Sequence, residues 1–211
     1  MAAIPFDFVV TALVTLFVVV DPIGLAPAYL AVTHGLPKPA RRTVAIRASS
    51  IAAVILTGSA LFGQWLLGAL GISLPAFRIA GGLLLFSIAS EMVFDVRIGR
   101  ESKTAEQAVK ENVHHIAAFP LAFPLLAGPG AITATVLLAG QTAGRPLMTA
   151  LLIDVIIVVA AACLCSFLFA DRIAHLLGLT GNIVLSRLLG VLLAALAVQY
   201  VIDGVRAVLA G

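Results

Sequence analysis

A chain of 211 residues that is 62% hydrophobic and 11% charged has too little polar surface to cover a globule in water, where about 25% of residues would be charged. Its mean hydropathy of +1.15 excludes a soluble domain and defines an integral membrane protein. The net charge of +3 is carried largely by loops between apolar runs, which reads as topology and argues against a nucleic-acid partner.

In chain order the apolar runs are Phe6–Val32, Ala48–Leu70, Arg78–Phe94, Ile116–Gly140, Leu147–Ala170 and Leu188–Val208. Each is long enough for a helix across a hydrocarbon core that needs about 20 residues. No Lys or Arg precedes the first run, so it is expected to stay as a span and not leave as a signal peptide. The first, third and fifth connections hold or adjoin Lys38, Arg41, Arg42, Arg47, Arg97, Arg100, Lys103, Lys110 and Arg172, with Arg187 nearby; the opposite side has Arg78, Arg145 and Arg206. The bias places those connections in the cytoplasm and both termini outside, in a multi-pass inner-membrane protein.

The first run is interrupted by VVVDPIGLAPAYL, Val18 to Leu30. Pro22 has no N–H to offer the carbonyl of Val18, Gly24 lets the chain leave helical angles, and Asp21 is placed to cap the helix that follows. The break lies roughly 22 Å from Phe6 and 18 Å from Thr33 along a helix, deep in the bilayer. A second break, at Gly128–Ala131, interrupts the fourth run: Pro129 frees the carbonyl of Leu125, and Pro124 frees that of Pro120.

The breaks repeat. Pro22 and Pro129 are 107 positions apart; LGIS at Leu70–Ser73 recurs as LGLT at Leu177–Thr180 with the same offset. FRIAGGLLL at Phe77–Leu85 recurs as SRLLGVLLA at Ser186–Ala194, shifted by 109. Residues 1–96 form one repeat, 97–115 a cytoplasmic linker and 116–211 the second repeat. Three spans per repeat is an odd number, so the second copy enters the membrane inverted, as in many secondary transporters. The expected fold is all-α: six transmembrane helices in two inverted three-helix repeats with broken first helices. Gene duplication that merely builds a packed bundle is the plainer alternative.

Broken helices aim free N–H groups and positive ends at the membrane midplane, which suits an anionic group, while freed carbonyls and an acid suit a cation or proton. Candidate solute-binding residues are Asp21, Pro22, Ile23, Gly24, Gly128, Pro129, Gly130, Ala131 and Thr133, with Asp21 also a candidate Na⁺ ligand. Asp154, inside LLIDVIIVV, and Arg78 and Arg187, at the starts of third spans, are candidates for gating or coupling. Cys163 and Cys165, two apart on a helix, point to different faces and read as packing residues. No phosphate loop, nucleophile triad or dinucleotide fingerprint is present, so neither an enzyme nor a cofactor is expected beyond Na⁺ or H⁺ as coupling ion.

VVVDPIGLAPAYL, FRIAGGLLLF, FPLAFPLLAGPGAIT and SRLLGVLLAALAVQYVIDG resemble, in family order over nearly the whole chain, the MarC family of integral membrane proteins. The resemblance implies kinship with LysE-type amino-acid exporters and transport of small neutral amino acids linked to Na⁺ or H⁺. It places Asp21, Pro22 and Gly24, and Gly128, Pro129 and Gly130, in two signature loops. Many relatives have Asn after the first signature glycine where this chain has Leu25. The expected function is a secondary transporter working by alternating access on a small solute in a lipid bilayer, with a homo-oligomer compatible. The alternatives are a non-transporting scaffold or accessory subunit, and an ion channel.

Overall fold

The computed structural model describes residues 6–94 and 117–210. The expected linker at 97–115, with Arg97, Arg100, Lys103 and Lys110, lies outside the described residues. Within them the chain is all helical, with no strand. The elements are α1 (Phe6–Val20), α2 (Ala26–Val32), α3 (Lys38–Ala69), α4 (Leu74–Val93), the irregular wide-turn α5 (Ala117–Leu126), α6 (Pro129–Gly140), α7 (Pro146–Leu168) and α8 (Ala170–Ala210).

Lys38–Ala69, Leu74–Val93, Pro146–Leu168 and Thr180–Ala210 are each long and apolar enough to cross a membrane. α5 and α6, bent by 57° at their junction, make a fifth candidate span when taken together. The α1–α2 pair is shorter in each piece. Large apolar side chains cover the outer surface; Val54, Trp65 and Leu83 are 71%, 72% and 60% exposed. Such a surface is stable against lipid and insoluble in water.

The spans start earlier than the apolar runs imply. α3 opens at Lys38, ten residues before Ala48, so Arg41, Arg42 and Arg47 are helical and not in a connection. Charge does not end a helix; Pro37 in extended geometry and Pro39 in the first turn start this one. At 1.5 Å per residue its 32 residues span about 48 Å, longer than a roughly 30 Å core, so the basic end projects past the hydrocarbon. Asp171, Arg172 and His175 are likewise helical, in the first part of α8, which breaks at Gly178 (φ 60°).

α4 and α8 pack most extensively and run antiparallel. A Cβ on Gly82 would lie 2.7 Å from the Ala197 carbonyl oxygen, one on Gly190 3.1 Å from that of Ala89, and one on Gly204 3.0 Å from that of Pro75. Three glycines thus bring the two backbones together along the whole seam, the close approach that small residues give membrane helices. α3 packs on α5, α6 and α7; α1 packs on α6, α7 and α8. The seam joins α4 and α8, with α1 and α6 packed between it and the α3–α7 pair.

Candidate functional site

The first break is built from its own sequence. The last helical bond of α1 runs from the Asp21 N–H to the Phe17 carbonyl at 2.9 Å. Asp21 then turns left-handed, φ 53°, a conformation Asp tolerates better than most residues. Its Oδ1 accepts the Gly24 N–H at 3.0 Å and its carbonyl accepts the Leu25 N–H at 3.1 Å. The Ala26 N–H goes to the Ile23 carbonyl at 3.1 Å. These bonds pair N–H groups of the buried turn with its own oxygens.

One expectation is corrected. Asp21 caps the intervening turn and not α2, whose N-cap is Leu25 with no side-chain bond. The left-handed residue is Asp21 and not Gly24. Gly24 is needed for space, because a Cβ there would run into the Asp21 carboxylate, with Cγ at 2.6 Å. α2 has seven residues, so it lends little dipole to a ligand.

The second break is wider than Gly128–Ala131. Phe119 and Phe123, each before a proline, are extended, with φ/ψ of −134°/128° and −131°/128°; a proline pushes the residue before it out of the helical region. The Ala127 N–H bonds the Ala122 carbonyl at 2.8 Å, five residues back. Gly128 is extended and caps α6 without a side-chain bond, and Pro129 opens the helix. A Cβ on Gly128 would strike the Pro124 carbonyl oxygen.

The breaks come together through Gly130 and Val19. A Cβ on Gly130 would collide with Ile88 and lie 3.4 Å from Val19 Cγ1, two residues before Asp21. Asp21 is 3% exposed; Pro22, Gly24, Gly128, Gly130, Ala131 and Thr133 are buried, Ile23 is half-buried and Pro129 is exposed. The Thr133 methyl lies 2.5 Å from the place a Gly81 Cβ would take, so Gly81 admits it. Thr135 bonds back to the Ala131 carbonyl at 2.7 Å. A cavity of about 350 Å³ at the Lys38 end and an apolar groove of about 430 Å³ between α3 and α6 are not lined by Asp21 or Gly130.

Four contacts lie between Asp21 and the Lys38 end. Ser166 Oγ donates to the Pro22 carbonyl at 2.6 Å. Next to it Phe167 stacks on Tyr29, centroids 4.6 Å apart and planes within 8°. The Tyr29 hydroxyl donates to the Arg41 carbonyl at 2.9 Å, and the Arg41 guanidinium pairs with Asp171 at 3.2 Å. On the other side of the break the buried hydroxyls of Thr15 and Tyr200 face each other from α1 and α8, short of full hydrogen-bond geometry.

The gating candidates do not gather at the breaks. Asp154 and Arg187 are exposed on the outer faces of α7 and α8, and Arg78 is half-buried within electrostatic reach of Tyr200. Cys163 is buried and Cys165 exposed, on different faces as the spacing requires. Ser166, Tyr29, Phe167 and Thr15 went unread as site residues. Ser166 had a signal, since it lies 107 positions after Ser59, the offset of the breaks. Among the described residues no group of three or more His, Cys, Asp or Glu gathers.

An all-helical bundle with a lipid-facing coat, two unwound segments close together inside it and a carboxyl group buried at the first is an integral membrane protein of several spans. The MarC family model, described as MarC family integral membrane protein, matches residues 6–209. The chain belongs to the MarC family. It is 34% identical over 205 residues to a UPF0056 membrane protein of Methanocaldococcus jannaschii, covering 96% of this chain and 98% of that one. It is 35% identical over 199 residues to one from Archaeoglobus fulgidus, with 94% and 92% covered. To the UPF0056 membrane protein YhcE of Escherichia coli it is 32% identical over 212 residues, with 98% and 96% covered. No solved structure matches.

Proposed function

We propose that the chain is a secondary transporter of a small solute, a neutral amino acid first among candidates, coupled to Na⁺ or H⁺ by alternating access in the cell inner membrane. The observation that carries this reading is Asp21: an ionisable group 3% exposed at an unwound turn, approached by a second unwound segment. Intramembrane acids at such places usually serve ions, protons or solutes.

The α1–α2 pair supplies a sixth span in this reading, and the two halves are inverted repeats. In support, Gly71 and Gly178, 107 apart, are both left-handed, at φ 69° and 60°. α3 is 32 residues long, and α7 with the first turns of α8, 146–177, has the same number of residues. α3 packs on α5 and α6 as α7 packs on α1 and α2. The charge bias puts the Lys38 end in the cytoplasm and both termini outside. The Ser166–Pro22, Phe167–Tyr29 and Arg41–Asp171 contacts then form a shut cytoplasmic gate over Asp21, and transport requires that they part.

Purified protein in proteoliposomes tests the reading. Saturable uptake or counterflow of a neutral amino acid, driven by a Na⁺ or proton gradient and lost in Asp21→Asn, is expected. Absence of flux for every amino acid under both gradients sinks it. One observation favours a scaffold or accessory subunit: Asp154 is exposed about 12 Å into α7, where lipid is a poor neighbour for a carboxyl group. A protein partner on that face would satisfy it, and Asp21→Asn would then be silent.

A further inference from the structure

The cavity at the Lys38 end is walled by Lys38, Arg41, Arg42 and Arg172, floored by the Tyr29–Phe167 stack, and holds about 350 Å³. Asp171 is its carboxylate, paired with Arg41 at 3.2 Å. Among the described residues, Lys38, Arg42 and Arg172 have no carboxylate within ion-pair distance. A preference for cations on one membrane face explains why these residues lie at this end. It does not explain their placement within it.

Lys38, Arg41 and Arg42 occupy the first turns of a 32-residue helix that has no acid in its first turn and no side-chain cap. That is the positive end of the macrodipole, where cations are disfavoured and anions favoured. Three cations at this end, with a fourth brought by the start of α8, raise the local potential at a concave site. The arginines are held over aromatic faces: Arg41 lies 5.8 Å from the Tyr29 ring centroid and Arg172 5.5 Å from that of Phe169. Stacking of this kind restricts where the guanidinium groups can point. The volume is at the small end of the roughly 300–1,000 Å³ range of ligand pockets.

We propose that this cavity binds a phosphate group, either the phosphodiester of an anionic lipid headgroup or free phosphate, between Arg42, Arg172 and Lys38. Arginine forks match phosphate oxygens, and basic pockets between membrane helices suit such headgroups. The proposal stands apart from transport, since it needs neither flux nor the Asp21 site.

The test is thermal stability of the full chain in neutral detergent. It is titrated in separate arms with phosphatidylglycerol, with phosphatidylcholine, and with inorganic phosphate against chloride at equal ionic strength. The double variant Arg42→Gln/Arg172→Gln leaves the Arg41–Asp171 pair intact. The control Arg145→Gln/Arg206→Gln removes equal charge away from the cavity. Stabilisation by phosphatidylglycerol but not phosphatidylcholine, weakened roughly tenfold or more in the cavity variant only, supports the site with a lipid as source. Stabilisation by inorganic phosphate with the same variant pattern supports it with free phosphate as source. Equal effects of the two lipids, equal losses in both double variants, or no stabilisation in any arm overturns it. Arg42→Lys/Arg172→Lys keeps the charge and loses the guanidinium fork, so its binding is expected between that of the parent and that of the Gln variant; loss as large as with Gln counts against the site if the variant melts as the parent does.

Discussion

Replacing Asp21 separates what its backbone needs from what its charge does. The residue is left-handed, at φ 53°, and its Oδ1 holds the buried Gly24 N–H at 3.0 Å. Asn keeps an acceptor oxygen at the same reach and tolerates the left-handed region well, so Asp21→Asn is expected to cost less than about 1 kcal/mol. Ala keeps neither. It leaves a buried N–H without its acceptor, about 1–3 kcal/mol, and its Cβ, like that of Asp, stays in the left-handed region but without the polar side chain that makes that region tolerable, roughly 1–2 kcal/mol. The sum is about 2–5 kcal/mol, on the order of 5–15 °C in melting temperature for a chain of this size. Gly removes the acceptor but not the backbone freedom, so Asp21→Gly should fall between. Melting in detergent gives the stability order Asp, Asn, Gly, Ala. Amino-acid counterflow in proteoliposomes gives a different order: Asn, though folded, should be inactive with Gly and Ala. If Asn melts as low as Ala, the capping argument is wrong. If Asn melts like the parent and transports like it, Asp21 is structural and the coupling role falls.

Other substitutions probe the seam, the hinges and the gate. Gly82→Ala puts a Cβ 2.7 Å from the Ala197 carbonyl and should cost about 1–3 kcal/mol, whereas Gly58→Ala, with nothing within 4 Å, should gain about 0.5–1 kcal/mol; detergent melts show both signs. Gly71→Ala and Gly178→Ala meet open space but left-handed backbone, so each should cost about 1–2 kcal/mol, and similar losses at the two sites are expected from matched hinges. Ser166→Ala removes the 2.6 Å bond to Pro22, worth about 1 kcal/mol, and should speed maleimide labelling of buried Cys163 in a Cys165→Ala background. Ser59→Ala, whose hydroxyl bonds its own helix at the Ile55 carbonyl, should slow that labelling or leave it unchanged; faster labelling in both would remove the gate argument.

Much of the helical plan was legible because the bilayer enforces it: long apolar runs have few other solutions. Where spans begin was not, since apolarity marks the hydrocarbon and not the helix; Pro37 and Pro39 set the start of α3 while Arg41, Arg42 and Arg47 ride within it. The breaks were legible from Pro22 and Pro129, which cannot continue a hydrogen-bond ladder. Their geometry was not. Glycine at position 24 looked like the flexible point, yet the turn is made by Asp21, and Gly24 is small because the carboxylate needs its space. The second break spread to Phe119 because two X-Pro steps act in series. Ser166, Tyr29 and Phe167 carry no unusual chemistry and acquire a role only when α7 is laid against α2. The outward exposure of Asp154 and Arg187 was equally beyond reach, since a charge in an apolar run shows depth but not facing.

Among the described residues the Ser166–Pro22 contact has no equivalent at the positions 107 away, and in the proposed reading this asymmetry is what alternating access would use. Shifted by 107 positions, Ser166 becomes Ser59 and Pro22 becomes Pro129. Ser166 reaches across to Pro22 at 2.6 Å, but Ser59 turns back on its own helix at 2.8 Å. Asp171 and Arg172, which wall the basic cavity, map to Gln64 and Trp65 on α3, and Trp65 is 72% exposed. α3 runs unbroken to Ala69, while in the matching stretch α7 ends at Leu168 and α8 begins at Ala170, whose first turn brings Asp171 to Arg41. In the proposed reading, two copies of one design held in unlike conformations would give a bundle one closed end and one differently built end at a time. An exchange of those conformations between the halves would carry the hydroxyl contact from Pro22 to Pro129 and move the opening past Asp21 without unfolding the α4–α8 seam.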